Sequence, residues 1–211
     1  MRNETLANAQ HIRTDENDKV TAIMKHINAF IDEELKYAII PDVVNIPLLP
    51  SVDDDIYSVG SQWNHVNFTP NSKLYMRLVR GNNHPSCSDL IAAINNIFYD
   101  SNIHLKVIQS LEEDVAQLEH TDIIHPYVEF ISTNRRKYHY SSIVPICNNT
   151  QLIVENVLID IPLGSMIMFL GDTSHAGAAF RRKNHRLFIS IAHELFPVHK
   201  SVGLTVAETI N

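Results

Sequence analysis

Hydrophobic positions along the chain follow two regimes, a helical period in the first half and short strand-like runs after Asn102. From Asp15 onward, Val20, Ile23, Met24, Ile27, Phe30, Ile31 and Leu35 recur at helical spacing, with acidic residues at the start, which predicts an amphipathic helix. Residues 1–14 carry no periodic signal. Pro41, Pro47 and Pro50 break regular structure, and Ser51 to Asp55 reads as a polar, acidic loop. Leu74 to Val79 predicts a strand ended by Gly81-Asn82-Asn83. A second helix follows, in which Ser86 and Asp89 resemble a capping box and Leu90, Ile91, Ile94, Ile97 and Phe98 form one stripe. Both helices read as surfaces that cover a sheet.

After Asn102 the pieces are short and β-prone: Ile103–Ile108, Val115–Ile123, Tyr127–Ser132, Tyr138–Ile146, Gln151–Ile161, Ser165–Leu170 and Leu187–Ala192. Their separators are rich in Asn, Pro, Gly and Asp, a spacing that predicts a sandwich, jelly roll or barrel. Helices first and strands afterwards make the fold class α+β.

Length and composition narrow the field further. At 211 residues the chain fits one domain, with ordinary apolar content for a sizeable core. A formal net charge of −7 argues against a general nucleic-acid or membrane-surface protein, so nucleic acid is not the favoured partner. No long uncharged apolar run is present and the N-terminus lacks a signal-peptide core, so no membrane partner is expected. Two cysteines, Cys87 and Cys147, without a CxxC motif predict a reduced, intracellular (cytoplasmic) protein.

The candidate chemistry begins at His120-Thr121-Asp122. Residues i and i+2 of a strand share a face, so His120 and Asp122 can bind one metal with Thr121 turned away. With twelve histidines in the chain, about one such pair arises by chance, so its weight comes from its companions. One is His175, just past the Gly171-Asp172 turn that closes the apolar run Met166–Leu170. Two His and one carboxylate form the ligand set of a non-haem Fe(II) site with positions left open. The other companion is Arg186. Along the last strand Leu187, Ile189, Ile191 and His193 share one face, and Arg186, Phe188, Ser190 and Ala192 the other. If the Leu/Ile face packs under the helices, Arg186 points inward, where a guanidinium is costly without an anion. A carboxylate gripped bidentately satisfies it, as does a structural salt bridge.

Taken together, His120, Asp122, His175 and Arg186 resemble the pattern of the Fe(II)/2-oxoglutarate-dependent dioxygenases. Gln117-Leu118-Glu119-His120-Thr121-Asp122 is similar to the Q-x-x-H-x-D form of the phytanoyl- and prolyl-hydroxylase-like branches, and Gly171 to Ala178 to their distal-histidine turn. The resemblance covers about residues 103–197. It implies a double-stranded β-helix (jelly-roll, cupin-like) core there, residues 1–102 as a helical or mixed support and 198–211 as a tail. It also implies Fe(II) held by His120, Asp122 and His175 as the catalytic metal centre, with 2-oxoglutarate as co-substrate and Arg186 on its far carboxylate. Such enzymes use O2, release CO2 and succinate, and oxidise a substrate C–H bond. Halogenating members lack the carboxylate ligand; Asp122 is present, so hydroxylation or a related oxidation is expected. An Arg-x-Ser pair is absent, Phe188 standing where the serine is found and Ser190 two further on. Tyr138, Tyr140, Ser142, Ser190 and Gln117 are further candidates for co-substrate contacts.

Competing assignments are a cupin-like isomerase or lyase using the same ligands without 2-oxoglutarate, and a non-catalytic jelly-roll binding module. His139-Tyr140-Ser141 offers no carboxylate, and His193-Glu194 is adjacent rather than alternating. His125, His185 and His199 read as surface or outer residues, and Asp114 and Glu119 as solvated. Arg135-Arg136-Lys137 and Arg181-Arg182-Lys183 read as solvated loop charge or, alternatively, as contacts to an anionic substrate. Trp63 reads as packing, or else as part of a lid.

Overall fold

A helix over residues 18–32, α1, buries the stripe Ile23, Ile27, Phe30 and Ile31 against the protein, with Val20 and Met24 at its margins. The computed structural model describes residues 18–45, 57–59, 65–68, 88–110, 116–123, 138–182 and 184–193, with the backbone course alone at 57–59, 65–68, 104–107 and 109. The helix ends before Leu35: Glu34 adopts a left-handed φ of 57°, and Leu35 is an exposed residue past the turn. The second helix, α2 (Ser88–Ile97), carries Asp89 in its first turn, where a carboxylate complements the helix dipole. Its buried face is Leu90, Ala93, Ile94 and Ile97, continued by Phe98. Ser86, the expected strand Leu74–Val79, the expected strand Tyr127–Ser132 and the tail from 198 lie outside the described residues.

Among the described residues ten strands follow one another as β1 (Tyr37–Ile40), β2 (Tyr57–Val59), β3 (His65–Phe68), β4 (Ser101–Ser110), β5 (Tyr140–Pro145), β6 (Thr150–Val154), β7 (Val157–Ile161), β8 (Met166–Leu170), β9 (His175–Gly177) and β10 (Asn184–His193). They form two sheets, a large one ordered β1-β8-β5-β10-β4-β3-β2 and a small one ordered β7-β6-β9, with antiparallel pairing throughout. β1, β2 and β3 come from residues 1–102, expected as a helical or mixed support, and join the same large sheet.

Alternation along the strands sorts side chains into two cores. Tyr140, Val144, Met166, Met168, Leu187, Ile189 and Ile191 pack beneath α1 and α2. Phe30 and Phe98 meet the Tyr140 ring at 5.7 and 5.4 Å between centroids, joining both helices to β5. Ile143, Ile167 and Phe169 leave the large sheet on its other side and meet Leu152, Val154, Ile159 and Ile161 of the small sheet, with Phe188 against them. The order of layers is therefore helices, large sheet, small sheet. The unbroken apolar run of β8 reflects burial on both faces.

The piece read as one strand over Gln151–Ile161 is a hairpin, β6 and β7, turned by Glu155-Asn156 at φ 53° and 65°. Two successive left-handed residues make a two-residue primed turn, and the missing glycine removed its usual signal. Val115–Ile123, expected as a strand, is irregular over its described part, 116–123, with a single bridge, His120 to His175, and a bend at 122–123. No helix among the described residues is long and apolar enough to cross a membrane.

Candidate metal centre

β9 supplies the deepest member of the cluster. His175 lies opposite Val154 of β6, a residue of the core between the sheets, so the imidazole takes the same inward face and is buried. The ring of Phe169 stands 4.5 Å from it, centroid to centroid. His120 meets His175 across a pair of backbone hydrogen bonds of 2.9 Å each, which sets the two rings side by side at 4.5 Å. Asp122, two residues on, shares the face of His120, and its Oδ1 lies 3.7 Å from His175 Nε2. Ligand atoms of the three residues all fall within 4.8 Å of one another.

The hydrogen bonds of the imidazoles decide what they present. His120 Nδ1 donates to the Leu118 carbonyl at 3.0 Å and His175 Nδ1 to the Thr173 carbonyl at 2.9 Å. A carbonyl only accepts, so each neutral ring carries its proton on Nδ1 and leaves the Nε2 lone pair for a ligand. Burial above all, and then His175, hold the His120 imidazole below its ordinary value, against the Leu118 carbonyl and Asp122, which pull the other way. The neutral, metal-binding form is thereby favoured. Two Nε2 atoms and a carboxylate converging from one side fit a metal site of the two-histidine, one-carboxylate kind.

Several solved structures resemble this fold. A Pseudomonas putida prolyl-4-hydroxylase superposes with a TM-score of 0.54 at 11% identity, covering 81% of this chain and 98% of that one. The non-haem alpha-ketoglutarate-dependent epimerase SnoN of nogalamycin biosynthesis gives 0.51 at 9% identity over 82% and 83%. A Trichoplax adhaerens prolyl hydroxylase, solved in complex with a hypoxia-inducible-factor peptide, gives 0.50 at 10% identity over 88% and 93%. The chain has an Fe(II)/2-oxoglutarate oxygenase-like fold. No protein-family model matches the sequence, and no curated protein matches it.

In this oxygenase-like fold Arg186 is buried and shares the inward face of β10 with Phe188 and Ser190. Its Nη1 donates to Ser110 Oγ at 2.8 Å and to Asn184 Oδ1 at 3.3 Å, and its guanidinium lies 5.1 Å from the centre of the Phe180 ring. Asn184 is held in turn by Thr150, whose Oγ1 accepts from its Nδ2 at 3.0 Å. Ser190 sits at the other end of the strand, four residues and about 13 Å away at some 3.3 Å per residue. Its hydroxyl meets His139 Nε2 at 2.8 Å.

Two expected contacts face the helices, and a third lies far from Arg186. Tyr140 and Ser142 leave β5 on the helix side; Ser142 lies between Ile189 and Met168, and its hydroxyl has no hydrogen-bond partner among the described residues. Tyr138 packs against the helix-side core and against Ile123 and Ala192, at the end of β10 remote from Arg186. None of the three lies beside Arg186. Gln117 uses its side-chain carbonyl on the Gly177 N–H at 2.7 Å, tying the His120 segment to β9, and a Cβ at 177 would meet that oxygen at 2.7 Å.

Two residues that the sequence left aside do line the site. Ser141, set aside as no substitute for a carboxylate ligand, donates its hydroxyl to Asp122 Oδ2. His139 turns the Nδ1 edge of its ring toward Gly171, where an added Cβ would come within 2.1 Å of its Nδ1. The signal for both is their shared parity with Ile143, which faces the small sheet. His185, expected as a surface or outer residue, is buried, and its backbone meets Cys147. Glu119 is bonded by Ser174 at 2.6 Å rather than simply solvated. Arg181 and Arg182 are exposed; Lys183, Trp63, His125, His199, Asp114 and Arg135-Arg136-Lys137 lie outside the described residues.

Proposed function

We propose that this protein is an Fe(II)- and 2-oxoglutarate-dependent oxygenase that hydroxylates a substrate with O2. The observation that carries this is the convergence of His120 Nε2, His175 Nε2 and the Asp122 carboxylate, with both histidine tautomers fixed by backbone carbonyls. Strand pairing supports a double-stranded β-helix: β4, β10, β5 and β8 in one layer face 116–123, β9, β6 and β7 in the other. Two of the structural neighbours are named as prolyl hydroxylases and one as an epimerase, which favours hydroxylation among the oxidative outcomes.

Iron bound here with 2-oxoglutarate and O2 would supply an oxidant for a C–H bond, with release of succinate and CO2. The chain's own residues then have separate tasks. His120, Asp122 and His175 would hold the metal and leave coordination positions free for co-substrate and O2. Arg186 takes the far carboxylate of 2-oxoglutarate, its guanidinium aimed by Ser110, Asn184 and Phe180. The distance along β10 between Ser190 and Arg186 suits a long side chain and a five-carbon diacid laid end to end. Phe188, Ile143, Ile167 and Phe169 keep the space between the two polar ends apolar and exclude water.

Succinate formation tests the proposal. Purified protein supplied with Fe(II), ascorbate, O2 and 2-oxoglutarate is expected to release succinate slowly even without its substrate. Arg186→Ala should lower the apparent affinity for 2-oxoglutarate about 10-fold or more, a charge-assisted pair contributing about 1.5–3 kcal/mol. Metal uptake without succinate, and an Arg186→Ala protein with unchanged activity, would assign the site instead to a cupin-like isomerase or lyase.

A further inference from the structure

The side chains that β5 and β10 turn toward the small sheet are apolar at their centre, where Ile143 lies opposite Phe188. At the metal end the character changes. Ser141 lies opposite Ser190, and His139 follows at the strand end, so three polar side chains sit together beneath the His120, Asp122 and His175 cluster. Ser190 is directed to His139, whereas Ser141 is fully buried and directed to Asp122. Its hydroxyl proton lies on Oδ2. The other carboxylate oxygen, Oδ1, is the one that faces His175 Nε2 at 3.7 Å.

We infer that Ser141 is a positioning residue that holds Asp122 to the metal through one oxygen, and this rests on the metal-centre proposal above. A carboxylate with both oxygens free can bind a metal with either or both. Once Oδ2 accepts a hydrogen bond, one of its lone pairs is engaged and the carboxyl plane is fixed with Oδ1 toward His175, so Oδ1 is the oxygen presented to the ion. The consequence is a count of coordination positions. Two Nε2 atoms and one oxygen leave three positions of an octahedron, enough for a chelating 2-oxo acid and a diatomic gas. A bidentate Asp122 would leave two.

Co(II) titration of the full chain, followed by its visible absorption, tests the assignment without recourse to turnover. Ser141→Ala is expected to weaken Co(II) binding about 10–100-fold. It should also alter the Co(II) absorption bands, which report coordination number, and weaken 2-oxoglutarate binding to the Co(II)-loaded protein. Ser141→Thr, which keeps the hydroxyl, should restore both. A role confined to packing would change the thermal stability of the metal-free protein and leave the band shape alone. Ser141→Cys, close in size and a weak donor, serves as a second variant should the alanine protein not fold. Wild-type affinity and spectrum in the folded alanine or cysteine variant would overturn the inference while leaving the metal centre standing. Failure of the wild-type protein itself to take up Co(II) would overturn both.

Discussion

Adjacent serines on β5 have opposite fates, and the difference lies in which side of the sheet each leaves. Ser141 finds a carboxylate to receive its proton, whereas Ser142 enters the apolar layer beneath the helices with no partner among the described residues. A buried hydroxyl that makes no hydrogen bond costs about 1–3 kcal/mol. Ser142→Ala is therefore expected to raise stability by about 1 kcal/mol in a denaturant titration and to leave 2-oxoglutarate affinity unchanged. A loss of affinity would return Ser142 to the co-substrate site. The sequence could not separate the two serines, because both parities of Tyr138–Ile146 mix polar and apolar residues. β10 was legible for the opposite reason. Leu187, Ile189 and Ile191 on one side and Arg186, Phe188 and Ser190 on the other allow one arrangement, and it is the one observed. The His120-x-Asp122 pair was legible because the two-residue period of an extended chain puts both side chains on one face whether or not the segment is a regular strand.

Among the elements, those stabilised by their own periodicity were visible and those stabilised by a neighbour were not. α1 and α2 carry buried stripes long enough to declare themselves, and only their ends differ from expectation, as at Leu35. β1 is four residues between a helix and Pro41, and its identity comes from its pairing with β8. β9 is three residues, held by β6 on one side and by the His120 segment on the other. The β6–β7 hairpin was hidden by its turn. Glu155 holds a left-handed φ that non-glycine residues other than Asn and Asp adopt at a cost of about 1–2 kcal/mol. Its exposed ion pair with Lys36, at 2.7 Å, offsets little of that. Glu155→Asn is accordingly expected to stabilise the protein by about 0.5–1 kcal/mol in thermal or denaturant melts. A destabilisation of that size would mean that the turn is not of the primed kind.

At the scale of the whole molecule the three layers have distinct work. The helices bury one face of the large sheet and make it rigid, and the small sheet closes over the other face. The proposed function uses the two polar ends of that second interface, the histidine–carboxylate cluster at one and Arg186 at the other. Both ends draw on residues far apart in the chain, Asp122 with His175 and Arg186 with Ser110, and only the closed sandwich brings them together. This explains why the histidine–carboxylate cluster was readable as a pattern while the residues packed around it were not. Ser110, Phe180 and Ser141 carry no motif of their own. The most direct measurement is an anaerobic titration of Fe(II) and 2-oxoglutarate into the wild-type protein and His175→Ala, read in the visible. A weak charge-transfer band that saturates at one iron per chain in the wild type and is absent from His175→Ala is the predicted result. No band and no iron uptake by the folded wild-type protein would contradict the metal centre on which the account stands.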